Sequence, residues 1–167
     1  MDEMLIGEGF VGDGADAAHV NTVLGPREGP VATAWATALA TPRAGHVPFV
    51  VVVRPGLAVK PLTLFVNKAT IGSTRHGELT WGAAQAGVAG GVADAVAEGA
   101  IARTAADELL LIAAVWVDPA AADEEAVYGN NRTATLAALR AASAGLPALD
   151  DVLAARATPV NPFFRRR

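Results

Sequence analysis

Cysteine is absent from the 167 residues. Its absence excludes disulfides, zinc–thiolate sites and a cysteine nucleophile, and agrees with a reducing compartment. Aromatic side chains are scarce too, 5% of the chain against 52% hydrophobic overall. Alanine fills the gap, so the interior has to be assembled from small side chains and close backbone approach, which suits helices laid on a sheet. Basic residues are outnumbered, 13 Lys and Arg against 17 Asp and Glu for a net charge of -4, and only Arg165, Arg166 and Arg167 stand together. No nucleic-acid partner is expected of such a surface. Apolar runs such as residues 109–117 are too short to cross a bilayer as a helix and read as buried strand, so no membrane partner is expected either. The opening Met1, Asp2, Glu3 and Met4 lacks the basic-then-apolar layout of a secretory signal, and a cytoplasmic protein is expected.

A chain of this length fits a single domain over residues 1–167, with 150–167 as a C-terminal tail. Residues 4–6 read as a short strand, the glycine-rich 7–14 as a turn, and 18–24 as a second strand closing a hairpin. Pro30 suits the first turn of a helix, where its missing N–H has no partner, and predicts a helix over 31–40. The unbroken apolar stretch 48–53 predicts a strand buried on both faces. Residues 63–71 alternate, which puts Lys68 and Thr70 on one face. Residues 73–80 read as polar loop and 83–98 as a helix stopped by Gly99, with Gly87, Gly90 and Gly91 expected to pack against the sheet. A strand over 108–117 and a helix over 124–143 follow. Strands and helices mix without regular alternation, which predicts an α+β fold, a two-layer sandwich, rather than a doubly wound sheet.

His19 is the first candidate for chemistry, one imidazole between a glycine-rich stretch and a short apolar run; a lone histidine there is also compatible with plain packing. Gly7, Gly9 and Gly12 match the spacing of a dinucleotide fingerprint, but no helix is predicted after them to receive a pyrophosphate. A glycine-rich turn that lets backbone approach something is the better reading. His46 and His76 fall in predicted loops with no second ligand at metal-binding spacing; both read as surface residues and no metal site is expected. Asp123, Glu124 and Glu125 suit the negative first turn of a helix. Lys68 is unusual, a lysine in an apolar strand. Either it snorkels from a strand end or it binds an anion or carbonyl facing a cleft.

Several pieces occur in order: Gly-Glu-Gly-Phe-Val-Gly-Asp-Gly from Gly7, Ala18-His19-Val20-Asn21, Gly25-Pro26-Arg27, Val59-Lys60-Pro61, Asn67-Lys68-Ala69-Thr70-Ile71, Gly82-Ala83-Ala84-Gln85 and Asn161-Pro162-Phe163. Together they resemble the formaldehyde-activating enzyme family. The resemblance implies condensation of formaldehyde with tetrahydromethanopterin to the methylene adduct and water, with no metal or redox cofactor and the reduced pterin as co-substrate. It also implies a homopentamer with active sites between subunits and a fold like the second domain of ribosomal protein S5. On the same resemblance His19 takes the general-acid position, and Asn21, Val50, Lys68, Thr70 and Gln85 fall at pterin-contacting positions. The chain departs from the pattern where the family typically has Asp (Asn21), Leu (Val50), Pro (Ala83) and a His-Trp pair (Val117-Asp118-Pro119). A non-catalytic binder or sensor of formaldehyde or pterin, and the same chemistry on another amine acceptor, stay open as alternatives.

Overall fold

A computed structural model of the chain describes residues 3–161 and 164. In chain order its elements are β1 (Leu5–Val11), β2 (Ala18–Pro26), α1 (Pro30–Ala40), β3 (Phe49–Val50), β4 (Val52–Arg54), β5 (Leu57–Ala58), β6 (Leu62–Asn67), α2 (Thr74–Glu78), α3 (Gln85–Ala97), β7 (Leu109–Trp116), α4 (Glu124–Ser143) and α5 (Leu149–Ala155). Five strands form one sheet in the order β1-β2-β7-β6-β3, and β4 pairs with β5 apart from it. Only β6 and β7 run parallel; the other pairs are antiparallel. The α+β class expected from the order of elements is the class the chain adopts.

Helices α3 and α4 cover one face of the sheet. Val20, Leu24, Phe65, Leu111 and Val115 meet Val88, Val92, Ala134 and Leu139 in one apolar cluster. Full burial of a Val, Leu or Phe side chain contributes about 1.5–3 kcal/mol. The other face carries α1 at one end: a Cβ on Gly25 would lie 2.7 Å from Cγ2 of Val31. Gly25 shares its face of β2 with His19, Asn21 and Val23, because side chains alternate along a strand. The opposite end of that face, roughly 20 Å away at a strand rise of about 3.3 Å per residue, is where His19 stands.

The glycine-rich segment expected to turn is instead strand: residues 7–11 belong to β1, paired from Leu5 opposite Leu24 to Val11 opposite Ala18. A Cβ on Gly7 would sit 2.1 Å from the carbonyl oxygen of Ala138, and one on Gly9 2.2 Å from that of Ala134. The missing side chains let α4 lie directly on β1. Likewise Gly87 and Gly91 pack against α4 and not against the sheet, since a Cβ on either would lie 2.5 Å from the carbonyl oxygens of Tyr128 and Arg132.

The expected strand over 48–53 breaks at Val51, whose N–H donates to Thr63 while its carbonyl accepts from Val59. There the chain leaves β6 for β5, and Val53 ends 55% exposed rather than buried. The strand expected to reach residue 71 ends at Asn67, whose side-chain amide donates to the carbonyls of Gly45 and Ala69 and turns the chain. Residues 74–80, within the expected loop 73–80, are helical. Ser73 Oγ accepts from the N–H of His76, capping α2, and a π turn over Leu79–Ala84 leads into α3. His76 is a buried tie, not a surface residue: Nε2 donates to Val117 O at 3.0 Å and Nδ1 accepts from Gly72 N. Those two partners fix one neutral tautomer.

Among the described residues no helix is long and apolar enough to cross a membrane. The tail contains α5, and Val160 and Asn161 beyond it line a cavity whose other lining includes residues of β1, β2 and β7. Met1, Asp2, Pro162, Phe163 and Arg165, Arg166 and Arg167 lie outside the described residues, so the family-like Asn161-Pro162-Phe163 is placed only at Asn161.

Candidate active site

Strand pairing assembles the site from residues far apart in sequence. Phe10 stands opposite His19, and His19 opposite Trp116. Beside this row Glu8 faces Asn21, which faces Ala114. Lys68 follows the last residue of β6, and its backbone N–H still donates to Val115 O, so its side chain reaches back over the same face. There Lys68 Nζ donates to Asn21 Oδ1 at 2.8 Å. His19 Nε2 lies 3.0 Å from Glu8 Oε1, and the Phe10 ring tilts against the imidazole with centroids 6.0 Å apart. Glu8, Phe10, His19, Asn21, Lys68 and Trp116 line one cavity of about 1160 Å³.

The rim has its own support. Asp13, Gly14 and Ala17 come from the β1–β2 connection, Asp118 follows β7, and Val160 with Asn161 arrives from the tail. Gly12 and Gly14 take φ of +88° and +65° in that connection, which a Cβ would strain. Asp16 then ties it down: its Oδ1 accepts from the N–H groups of Ala122 and Asp123, and its carbonyl accepts from Asn130. The start of α4 therefore holds one wall of the cavity.

Charge in the cavity is mixed. Burial, then the nearby Lys68 ammonium, pushes the His19 imidazole below its ordinary pKa, while the charge and hydrogen bond of Glu8 push the other way. Lys68 is likewise held below the usual lysine value by burial, with Glu8 opposing. With 38% and 59% of their side chains exposed, His19 and Glu8 form a solvent-screened pair that adds little to stability. What it does is orient a ring. Because Asn21 Oδ1 accepts from Lys68, the Asn21 amide hydrogens are the part left to donate to a ligand.

Of the sequence-predicted residues, His19, Asn21 and Lys68 meet in this cavity, whereas Val50, Thr70 and Gln85 are not among its lining. Val50 pairs with Leu64 on the edge strand β3. Gln85 starts α3 just after the π turn, and its Oε1 accepts from Val52 N at 2.6 Å. Thr70 Oγ1 lies 2.9 Å from His46 Nε2, while His46 Nδ1 lies 2.9 Å from Asn67 O. The carbonyl can only accept, so Nδ1 carries a proton, and in the neutral ring Nε2 accepts from the Thr70 hydroxyl. His46, read from sequence as a plain surface residue, is thus half-buried and orients Thr70. Glu8, Phe10 and Trp116 were not legible as site residues. The signal for the first two was strand alternation through residues 5–11, which the glycines masked.

An imidazole beside a carboxylate, an ammonium, a donating amide and two aromatic side chains line one cavity, a set of groups capable of acid–base chemistry on a polar, partly planar ligand. A family model described as formaldehyde-activating enzyme matches residues 6–164, and the chain belongs to that family. It is 39% identical over 159 residues to the 5,6,7,8-tetrahydromethanopterin hydro-lyase of Methanosarcina barkeri, covering 95% of this chain and 89% of that protein. It is 40% identical over 165 residues to a bifunctional enzyme Fae/Hps of Archaeoglobus fulgidus, and 43% over 150 residues to that of Methanococcoides burtonii. These alignments cover 99% and 90% of this chain but only 42% and 38% of the bifunctional proteins, so the chain spans about two-fifths of their length.

Proposed function

We propose that the chain is a hydro-lyase that condenses formaldehyde with tetrahydromethanopterin, giving the methylene adduct and water, with His19 as general acid. The observation that supports this most is the convergence of His19, Asn21 and Lys68 on one cavity from separate strands. In the reaction an amine nitrogen of the pterin adds to formaldehyde to form a carbinolamine. The hydroxyl must then leave, and it leaves as water only if protonated. Imidazolium at His19 supplies that proton, the C–O bond breaks, and the nitrogen lone pair forms the iminium. The second pterin nitrogen closes on the iminium carbon, and the proton it loses restores the imidazolium. The atoms and electrons balance with no redox partner, and the pterin is a co-substrate.

Lys68 and the Asn21 amide suit the carbonyl oxygen and ring-nitrogen acceptors of a pterin, and Phe10 and Trp116 offer flat walls that keep out water, which competes with dehydration. Val50, Thr70 and Gln85 stand outside that cavity. On this reading they complete the site across a subunit boundary in a homopentamer. Formation of the methylene adduct, followed by absorbance against the spontaneous reaction, tests the proposal. Wild type accelerates it, and His19→Ala loses on the order of 10²–10⁴ of the acceleration while keeping its affinity for the pterin. No acceleration by wild type, with saturable pterin binding, means a binding protein and sinks the catalytic reading.

A further inference from the structure

We propose that Glu8 is the positioning residue for His19, holding imidazole Nε2 so that Nδ1 is the nitrogen that carries the catalytic proton. This rests on the acid role of His19 proposed above, and it assigns atoms within that role. Glu8 Oε1 lies 3.0 Å from His19 Nε2. A carboxylate only accepts, so the Nε2 proton is engaged by Glu8 in both protonation states of the ring. Nδ1 then bears a lone pair in the neutral ring and an N–H in the imidazolium, and it is the atom able to exchange a proton with substrate. The carbinolamine hydroxyl takes the Nδ1 proton as the C–O bond breaks. Nδ1 recovers a proton when the second pterin nitrogen closes the ring.

The fold makes the pair hard to avoid. Phe10 is the direct cross-strand partner of His19 and Glu8 that of Asn21, so Glu8 sits diagonally from the imidazole on the same face, within reach of a long side chain. The Phe10 ring against His19 limits how far the imidazole turns. Other charged groups around the cavity are Lys68 after β6, Asp118 after β7 and Asp13 in the β1–β2 connection; Trp116 on β7 and Asn21 on β2 are neutral. Lys68 and burial work against the imidazolium, while Glu8 works for it through both charge and hydrogen bond. A general acid in this half-buried position therefore depends on one carboxylate to stay charged, and an amide in its place keeps the ring orientation while losing the charge.

The chain has three histidines, so nitrogen and carbon NMR of histidine-labelled protein resolves His19, assigned by its loss in His19→Ala. The expected result has four parts. Neutral His19 in wild type is the Nε2–H tautomer. Glu8→Gln keeps that tautomer and titrates at lower pH. Glu8→Ala also relaxes toward a mixture of tautomers. Lys68→Met moves the titration the other way. In turnover the acid-dependent limb of kcat shifts to lower pH in Glu8→Gln, and the rate at neutral pH falls on the order of tenfold, well short of the loss in His19→Ala. An Nδ1–H tautomer in wild type, or an unmoved titration in Glu8→Gln, overturns the proposal. The NMR readings need no substrate. If they come out as expected and wild type still gives no acceleration, the carboxylate–imidazole pair stands and the hydro-lyase reading is the part that fails.

Discussion

Asn21 is where a single atom of this site is set by its neighbour. With Lys68 Nζ donating to Oδ1 at 2.8 Å, a neutral amide stands where the family resemblance leads one to expect an acid. Asn21→Asp places a negative charge against the ammonium and near the imidazole, and both cationic forms are stabilised by it. The Lys68 titration, now held low mainly by burial, is expected to rise, and so is that of His19. Nitrogen NMR of the lysine side chain checks this, and an unmoved Lys68 titration shows that the contact is absent in solution. The same reasoning gives the pH dependence of wild type. Burial and Lys68 make the imidazolium harder to form, so protonation requires a lower pH than for a free histidine, whose value is about 6.5. A rate that needs the acid form therefore declines as pH rises through a midpoint below that value. A pH–rate profile of kcat/KM that rises through neutral pH instead removes His19 from the acid role.

At the scale of elements, glycine decides how closely helices approach. Gly91→Ala drives a Cβ to 2.5 Å from the Arg132 carbonyl in α4 and 2.7 Å from Thr135 Cβ, and overpacking of this kind costs about 1–3 kcal/mol. Gly129, inside α4 with nothing within 4 Å of its would-be Cβ, is expected to do the opposite on Gly129→Ala. The gain there is up to about 1 kcal/mol from helix propensity alone. Urea unfolding of the two variants gives shifts of opposite sign, and shifts of one sign refute the close-packing account. The same glycines explain what was legible beforehand. Helix α4 announced itself by its acidic first turn, and β2 and β7 by apolar runs, so the α+β class followed. Strand β1 was legible only at its start, where residues 4–6 read as the first strand of a hairpin with β2; the rest was not, because Gly7 and Gly9 serve a helix brought next to them only by the fold, and from sequence that segment is indistinguishable from a turn. His19, Asn21 and Lys68 were legible through their family pattern. Glu8 was not, since its role depends on the strand register that the glycines concealed. His76 was misread for a related reason: its partners, Gly72 N and Val117 O, are backbone groups, which leave no trace in side-chain spacing.

Across the whole molecule, several large apolar side chains stand exposed near the C-terminal end. Helix α5 has no buried residue, with Leu149 71% exposed and Val152 and Leu153 about half exposed, and Val160 beyond it 68% exposed at the edge of the cavity. Large apolar side chains exposed together on one short helix suit a contact surface. In the proposed homopentamer it is expected to lie against a neighbouring copy, close to where Val160 meets the site. Light scattering should then return five times the 17.0 kDa chain mass, and the double variant Leu149→Asp, Leu153→Asp should lower it. Neither residue lines the cavity, so any loss of rate in that variant comes through assembly and should recover at high protein concentration. A wild-type monomer ends the pentamer proposal. A pentamer indifferent to both substitutions moves the interface off α5, and a variant that dissociates yet keeps its full rate shows that the site is complete within one chain.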